Sequence, residues 1–271
     1  MYGERIPLKS PALTIFVWNH HHCAVSEIAI RDGGIKLLLK WLVDLLGVLI
    51  ILWLFVASNA VIIIGGRQIG IMERKYFGRR LSEGRVIALR GETGVQAGTL
   101  APGLHILFPF LYRVQKVAFV EIGQNEIGCV ESIDGMPIES GRILGRSVSG
   151  HNFFQNGEEF LKNSGEKGPQ VDIIPPGVYR INTAMFKVEI GRATVIAQGS
   201  IGVVNATDGK TMDKGRLLAK YVEGHNNFQN GNDFLVKGAQ KGPQLDILLP
   251  GTYRINPLLF EVKAMEAAAA G

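Results

Sequence analysis

Six histidines and two cysteines are where chemistry would start in this chain of 271 residues. His20, His21 and His22 run directly into Cys23, which has the look of a metal cluster. Adjacent ligands do not close easily around one tetrahedral ion, however, and no partner pair stands at the usual spacing. The stretch reads as a solvated tail or a wrongly assigned start, and no metal site is expected. His151 invites a catalytic reading at the head of GHNFFQNGEEFLKNSGEKGPQVDIIPPGVYRIN. His225 heads a near copy, GHNNFQNGNDFLVKGAQKGPQLDILLPGTYRIN. A general base is needed once and brings a partner acid or a nucleophile. These two recur with a whole packing motif, each followed by Asn and by no new acid. Their expected role is structural, with an isolated binding role as the alternative. Asp172 and Asp246 recur inside a strand pattern and read as edge or turn acids. No GxSxG, HExxH, phosphate-binding loop or paired-cysteine motif is present. The expectation is a chain that is not an enzyme, with no catalytic residue, no cofactor and no metal.

The elements that position these residues begin with an uncharged run, LLGVLIILWLFVASNAVIII, from Leu45 to Ile64. Its length matches a hydrocarbon core of roughly 30 Å, and a soluble helix would need a polar face that it lacks. Lys40 and Asp44 mark its leading edge, and Trp41 and Trp53 are candidates for the interface. Ser58-Asn59-Ala60 offers a signal peptidase a small-residue site. Against cleavage, the segment before the apolar core is far longer than a charged leader, and apolar sequence continues past the cut. An uncleaved anchor is expected. Arg31, Lys36 and Lys40 precede the run, whereas Arg67, Arg74, Lys75, Arg79, Arg80 and Arg85 follow it. The positive-inside rule then puts the C-terminal part in the cytoplasm, as a single-pass protein of the cell membrane. Cys23 and Cys129 fall on opposite sides of the span, so no structural disulfide is expected. The net charge of +5 sits mainly just after the span, and no aromatic-interleaved basic groove accompanies it. A lipid surface is the partner this suggests, and nucleic acid is not.

After the span the chain repeats itself. IGCVESIDGMPIESGRILGR from Ile127 aligns with IGVVNATDGKTMDKGRLLAK from Ile201, and the shift of 74 residues holds without a gap to the end. An earlier relative starts at Ile69 and shares IG, the later GR with its aliphatic pair, Gly-x-Gln, Pro-Gly and the closing strand, but lacks the GHNFFQNGEEFL segment. The basic unit is therefore about 55 residues, with an insertion in copies two and three. FKVEI at Phe186 alternates as a half-buried strand does, and FEVKA at Phe260 exchanges the signs of its charges, which is harmless only on a solvated face. Pro102-Gly103, Pro176-Gly177 and Pro250-Gly251 suit type II turns. In each insertion Asn156 with Glu159, or Asn230 with Asp233, sets an acceptor at an N-cap and an acid three residues on. Short helices follow, with Phe154, Phe160 and Leu161, or Phe228, Phe234 and Leu235, on one packing face.

The expected fold class is mainly β with short helices (α+β), an N-terminal transmembrane helix followed by three tandem modules. The divisions are a tail over 1–34, the helix over 35–64, modules over 65–122, 123–196 and 197–266, and a tail over 267–271.

One family is similar. IGIMERKYFGRRLSEGRVIALRGETGVQAGTLAPGLH followed by FPFLYRVQKV resembles the start of the SPFH or band 7 superfamily of stomatins, prohibitins and flotillins. There a membrane segment leads into a small β-rich subdomain with a GxVGVV-like strand, then PGLH and a hydrophobic P-x-x-x-x-V stretch. The matching pieces are Gly70, Pro102-Gly103-Leu104-His105, Pro109 and Val114. From Ile62 to Met265 the chain is similar to bacterial flotillin-like proteins with repeated N-terminal modules. The resemblance implies a non-enzymatic scaffold of membrane microdomains, whose partners are the lipid bilayer and other membrane proteins, with homo-oligomers possible. The family's helical second subdomain and coiled coil have no counterpart here, since no heptads occur and the sequence stops at EAAAAG. Either this is a fragment, or assembly rests on the β modules and the anchor. The contrasting expectation is an anchored extracytoplasmic module whose GHN-FQNG insertions hold a ligand.

Overall fold

The structure, a computed structural model, describes residues 32–57, 60–89 and 91–266. The His20–His22 stretch and Cys23 lie outside the described residues. Helix α1, Asp32–Ala57, leaves its apolar side chains exposed, Trp41 and Trp53 at 69% and 68%. Its 22 residues from Lys36 to Ala57 are long and apolar enough to cross a membrane, since at ~1.5 Å per residue they reach about 33 Å. The sequence reading carries this span to Ile64, but the helix ends at Ala57 and Val61–Ile64 form strand β1. Four successive β-branched residues favour that state, and Ile62 and Ile64 are buried while Val61 and Ile63 are exposed.

The second compact unit is built from one pattern used three times. In module 1, β1 is followed by β2 (Gln68–Arg74), β3 (Gly94–Leu100), β4 (Gly103–Ile106) and β5 (Tyr112–Ala118). Module 2 holds β6 (Val120–Ile122), β7 (Glu126–Ser132), α2 (Gly157–Lys162), β8 (Gly168–Ile174), β9 (Gly177–Tyr179) and β10 (Phe186–Arg192). Module 3 repeats it with β11 (Thr194–Ile196), β12 (Ser200–Ala206), α3 (Gly231–Val236), β13 (Gly242–Leu248), β14 (Gly251–Tyr253) and β15 (Phe260–Glu266). Each has an antiparallel three-stranded sheet with β2, β7 or β12 in the middle, and a two-stranded ribbon, β1–β4, β6–β9 or β11–β14. A register shift recurs at one place in all three sheets, after Ile71, Cys129 and Val203. Divisions drawn at 65, 123 and 197 leave β1 with the helix and β6 and β11 with the copy before, whereas their ribbon partners lie in the copy that follows.

The repeated IG now has a physical reason. A Cβ on Gly128 would stand 2.6 Å from Ile122 of the ribbon, and one on Gly202 would stand 2.8 Å from Ile196. The ribbon isoleucine fills the space a side chain would need. The Pro-Gly pairs behave differently from the type II turns expected of them. Gly103 and Gly177 have φ of 134° and 156°, well beyond the value near +80° that such a turn requires, and Gly251 lies outside the left-handed range. Each glycine instead opens a ribbon strand, where extended backbone is wanted. The exchangeable charges do lie on a solvated face. Lys187 reaches Glu189 at 2.7 Å and Lys263 reaches Glu261 at 3.1 Å, all four side chains more than half exposed.

Candidate functional site

Each insertion starts with an unusual backbone turn. Asn152, Phe153 and Phe154 have φ of 46°, 50° and 62°, and Asn226, Asn227 and Phe228 have 48°, 51° and 61°. Asn tolerates this left-handed conformation, but a phenylalanine pays roughly 1–2 kcal/mol for it. Two things hold the turn. The ring Nδ1 of His151 accepts the Phe154 amide at 2.9 Å, as His225 does that of Phe228. The turn then drives Phe154 and Phe228 into the core, where they are 1% and 2% exposed.

An accepting Nδ1 leaves the proton of the neutral ring on Nε2. That nitrogen faces Asp172 Oδ2 at 3.5 Å, and in His225 it faces Asp246 Oδ2 at 3.3 Å. The sequence reading supplies these histidines with no acid and makes the two aspartates edge or turn acids. In fact each aspartate, on β8 or β13, stands across from the histidine of its own module. The histidine is walled in: the His151 ring lies 4.4 Å from that of Phe154 and 6.2 Å from that of Phe160, and only 8% of the residue is exposed. A histidine so committed fastens a turn. The helices are capped as their sequence directs, with Asn156 Oδ1 accepting the Glu159 amide at 3.1 Å and Asn230 Oδ1 that of Asp233 at 3.0 Å. Phe160 and Phe234 are buried beneath them.

The strongest polar site lies between modules. Asp134, just past β7, reaches back into module 1, where its Oδ2 accepts the amides of Val86 at 2.9 Å and Ile87 at 2.6 Å and the Arg85 Nε at 3.1 Å. Asp208 repeats this on module 2, accepting from Ile143 at 3.0 Å, Leu144 at 3.1 Å and Arg142 Nε at 3.2 Å. Both carboxylates are about fully enclosed, with 0% and 1% of the side chain exposed. Burial by itself would push each carboxyl up. The backbone amides, those of Ile87 and Val86 for Asp134 and of Ile143, Leu144 and Gly209 for Asp208, outweigh it together with the arginine, and each pKa is held below the ordinary aspartate value.

A second tie crosses the same seam. Asn182 Nδ2 donates to the carbonyls of Gln96 and Ala97 at 2.9 and 3.2 Å, and Asn256 Nδ2 donates to those of Gln170 and Val171 at 3.0 and 2.9 Å. The cores follow the ties. Ile87 and Ala97 of module 1 belong to the core that holds Phe154, Phe160 and Phe186, while Leu144 and Val171 of module 2 belong to the one with Phe228, Phe234 and Phe260. Each inserted helix thus sits on the module before it.

Sequence reasoning passes over Asp134 and Asp208, although a signal exists. Asp-Gly follows the first long strand in modules 2 and 3 only, and module 1, which follows the helix in sequence, has Tyr76-Phe77 there. Arg85, counted above with the basic flank of the span, is a seam residue. A polar cleft of about 460 Å³ opens beside the first seam, lined among others by Asn152, Gln155, Glu158, Lys162 and Arg180. Among the described residues, no three His, Cys, Asp or Glu side chains gather as a metal site would require. Cys129 is buried and unbonded, and burial, with Glu189 adding to it, pushes its thiol pKa up.

Fold and site together define a membrane-length helix joined in sequence to three stacked β modules. No protein-family model matches the chain, and no curated protein matches it in sequence.

Proposed function

We propose that this protein is a membrane-anchored, non-catalytic scaffold of the SPFH or flotillin-like kind, whose modules stand on the cytoplasmic face and gather lipids or partner membrane proteins. The observation that carries this is an apolar helix of bilayer length, exposed on all sides, joined in sequence to a stacked β unit. The free end of module 1 suits the same partner. Phe77, Phe108 and Phe110 there are 92%, 73% and 67% exposed, and Lys75 and Arg80 are exposed close by in sequence. Exposed aromatic side chains with basic neighbours favour the bilayer interface and anionic headgroups. The histidines that invite catalysis are spent on turns, and the seams use their charges internally. An uncleaved span is supported at Ala60, which is buried and whose carbonyl accepts the Leu107 amide at 2.7 Å.

The test is to wash membranes bearing the full chain at alkaline pH and then size the detergent-extracted protein. Retention in the membrane and a mass of many copies are expected. Release into the wash removes the anchor, and a monomer in gentle detergent removes the scaffold.

A further inference from the structure

Modules 1 and 2 each present a receptor to the module that follows, and in both it is filled. It comprises an arginine, the two amides after it, and two apolar side chains, one from that loop and one from the strand after Gly-x-Gln. Module 3 has the same receptor in Arg216, Leu217, Leu218 and Leu245. Here it is open. Leu218 is 41% exposed, where Ile87 and Leu144 are 1% and 0%; Leu245 is 54% exposed, where Ala97 and Val171 are 1% and 2%. The amides of Leu217 and Leu218 have no acceptor among the described residues, and the Arg216 Nε turns to the Leu218 carbonyl at 3.1 Å. The loop is nevertheless already shaped. The Ala219 amide donates to Pro243 at 2.9 Å, as Gly145 does to Pro169 at 2.8 Å and Ala88 to Val95 at 2.7 Å. A receptor held in its binding form loses little freedom when it is filled.

We infer that this face of module 3 is a docking site for a further module built like modules 2 and 3. Such a module brings an Asp-Gly turn to Arg216 and the two free amides, an Asn side chain to the carbonyls of Gln244 and Leu245, and a helix with buried phenylalanines to cover Leu218 and Leu245. The two filled seams state the complementarity: one carboxylate for one guanidinium and two amides, and an apolar underside for two aliphatic side chains. A second copy of this chain does not meet it. Its Asp134 and Asp208 are engaged within their own chain, and its module 1 offers Tyr76 and Phe108 where the others have Asp and Asn.

The experiment uses the full chain and a version in which a second copy of residues 194–267 follows Ala267, preserving the repeat of 74 residues. Amide hydrogen exchange is read at Leu217 and Leu218. In the extended chain their exchange should slow by at least about tenfold, toward that of Ile143 and Leu144. Changing the appended counterpart of Asp208 to Ala should restore fast exchange, and Arg216→Glu in the extended chain should do the same. The inference fails if the appended segment folds and the two amides still exchange freely. It fails equally if that segment stays unfolded, because modules 2 and 3 fold on the same receptor. Concentration-dependent protection of these amides in the unextended chain, with a doubled mass, would make a second copy the occupant and overturn it too.

Discussion

The Oδ2 of Asp208 accepts the backbone amide of Leu144 at 3.1 Å, across 64 residues of sequence and from one module into another. Because the carboxylate is enclosed, removing it strands an arginine and two amides without their acceptor. Asp208→Ala should cost about 3–5 kcal/mol, and Asp134→Ala should do the same at the first seam. Asp208→Asn, which keeps an accepting oxygen, should cost less. Urea unfolding of residues 60–271 measures all three, and losses below about 1 kcal/mol would show that the seams are held by apolar packing alone.

The same carboxylates set the acid limit. Both aspartates have folded-state pKa values below the ordinary one. Their stabilisation is therefore complete above the unfolded-chain value of about 3.9 and is lost as pH falls through the lower, folded value. The urea midpoint should drop steeply below about pH 4. The Asp134→Asn/Asp208→Asn double variant should show a shallower fall, and an unchanged slope would assign the acid sensitivity to other groups.

Within the insertions, Phe160→Ala or Phe234→Ala should cost about 3–5 kcal/mol, the usual cost of emptying a buried aromatic site. His151→Ala should cost about 1–3 kcal/mol, because the Phe154 amide loses its acceptor in a turn that is strained without it. Thermal unfolding checks both. Loss of a measurable activity at His151→Ala with no change in melting temperature would reverse the structural assignment.

Topology can be read by thiol labelling, although not at Cys129. That thiol is buried and its pKa is raised, so it reacts poorly from either side. Gln198, exposed in a turn before β12, is the better position. Gln198→Cys should resist a membrane-impermeant reagent in intact cells and react after lysis. Labelling in intact cells would place the modules outside.

Assembly should depend on the span. Truncation at Gly66 would remove β1, whose Ile62 and Ile64 are buried, so the soluble piece must begin at Ala60. That piece should sediment as a monomer at micromolar concentration, while the full chain clusters in membranes, where anchoring raises local concentration. A stable ring of the 60–271 piece would show that the modules alone carry assembly.

The sequence by itself determined what rests on composition and short-range geometry. The uncharged apolar run that starts at Leu45 favours a long apolar helix, which the chain forms as far as Ala57, and Asn156 and Asn230 each cap the helix that their spacing to an acid predicts. The repeat of 74 residues announced one structure used more than once, because a repeated hydrophobic pattern folds to a repeated core. Tertiary structure decided what depends on residues far apart. Val61–Ile64 is apolar enough to prolong the helix, yet β4, some forty residues later, supplies the ladder that makes it a strand. Asp172 needed the fold to set it opposite His151, and Asp134 needed it to meet Ile87. A lone aspartate in sequence carries no sign of which amides it will accept, since burial and partner are properties of the chain once closed on itself. Leu144 and Leu218 occupy equivalent places in the repeat, yet Leu144 is buried under module 3 while Leu218 is 41% exposed among the described residues.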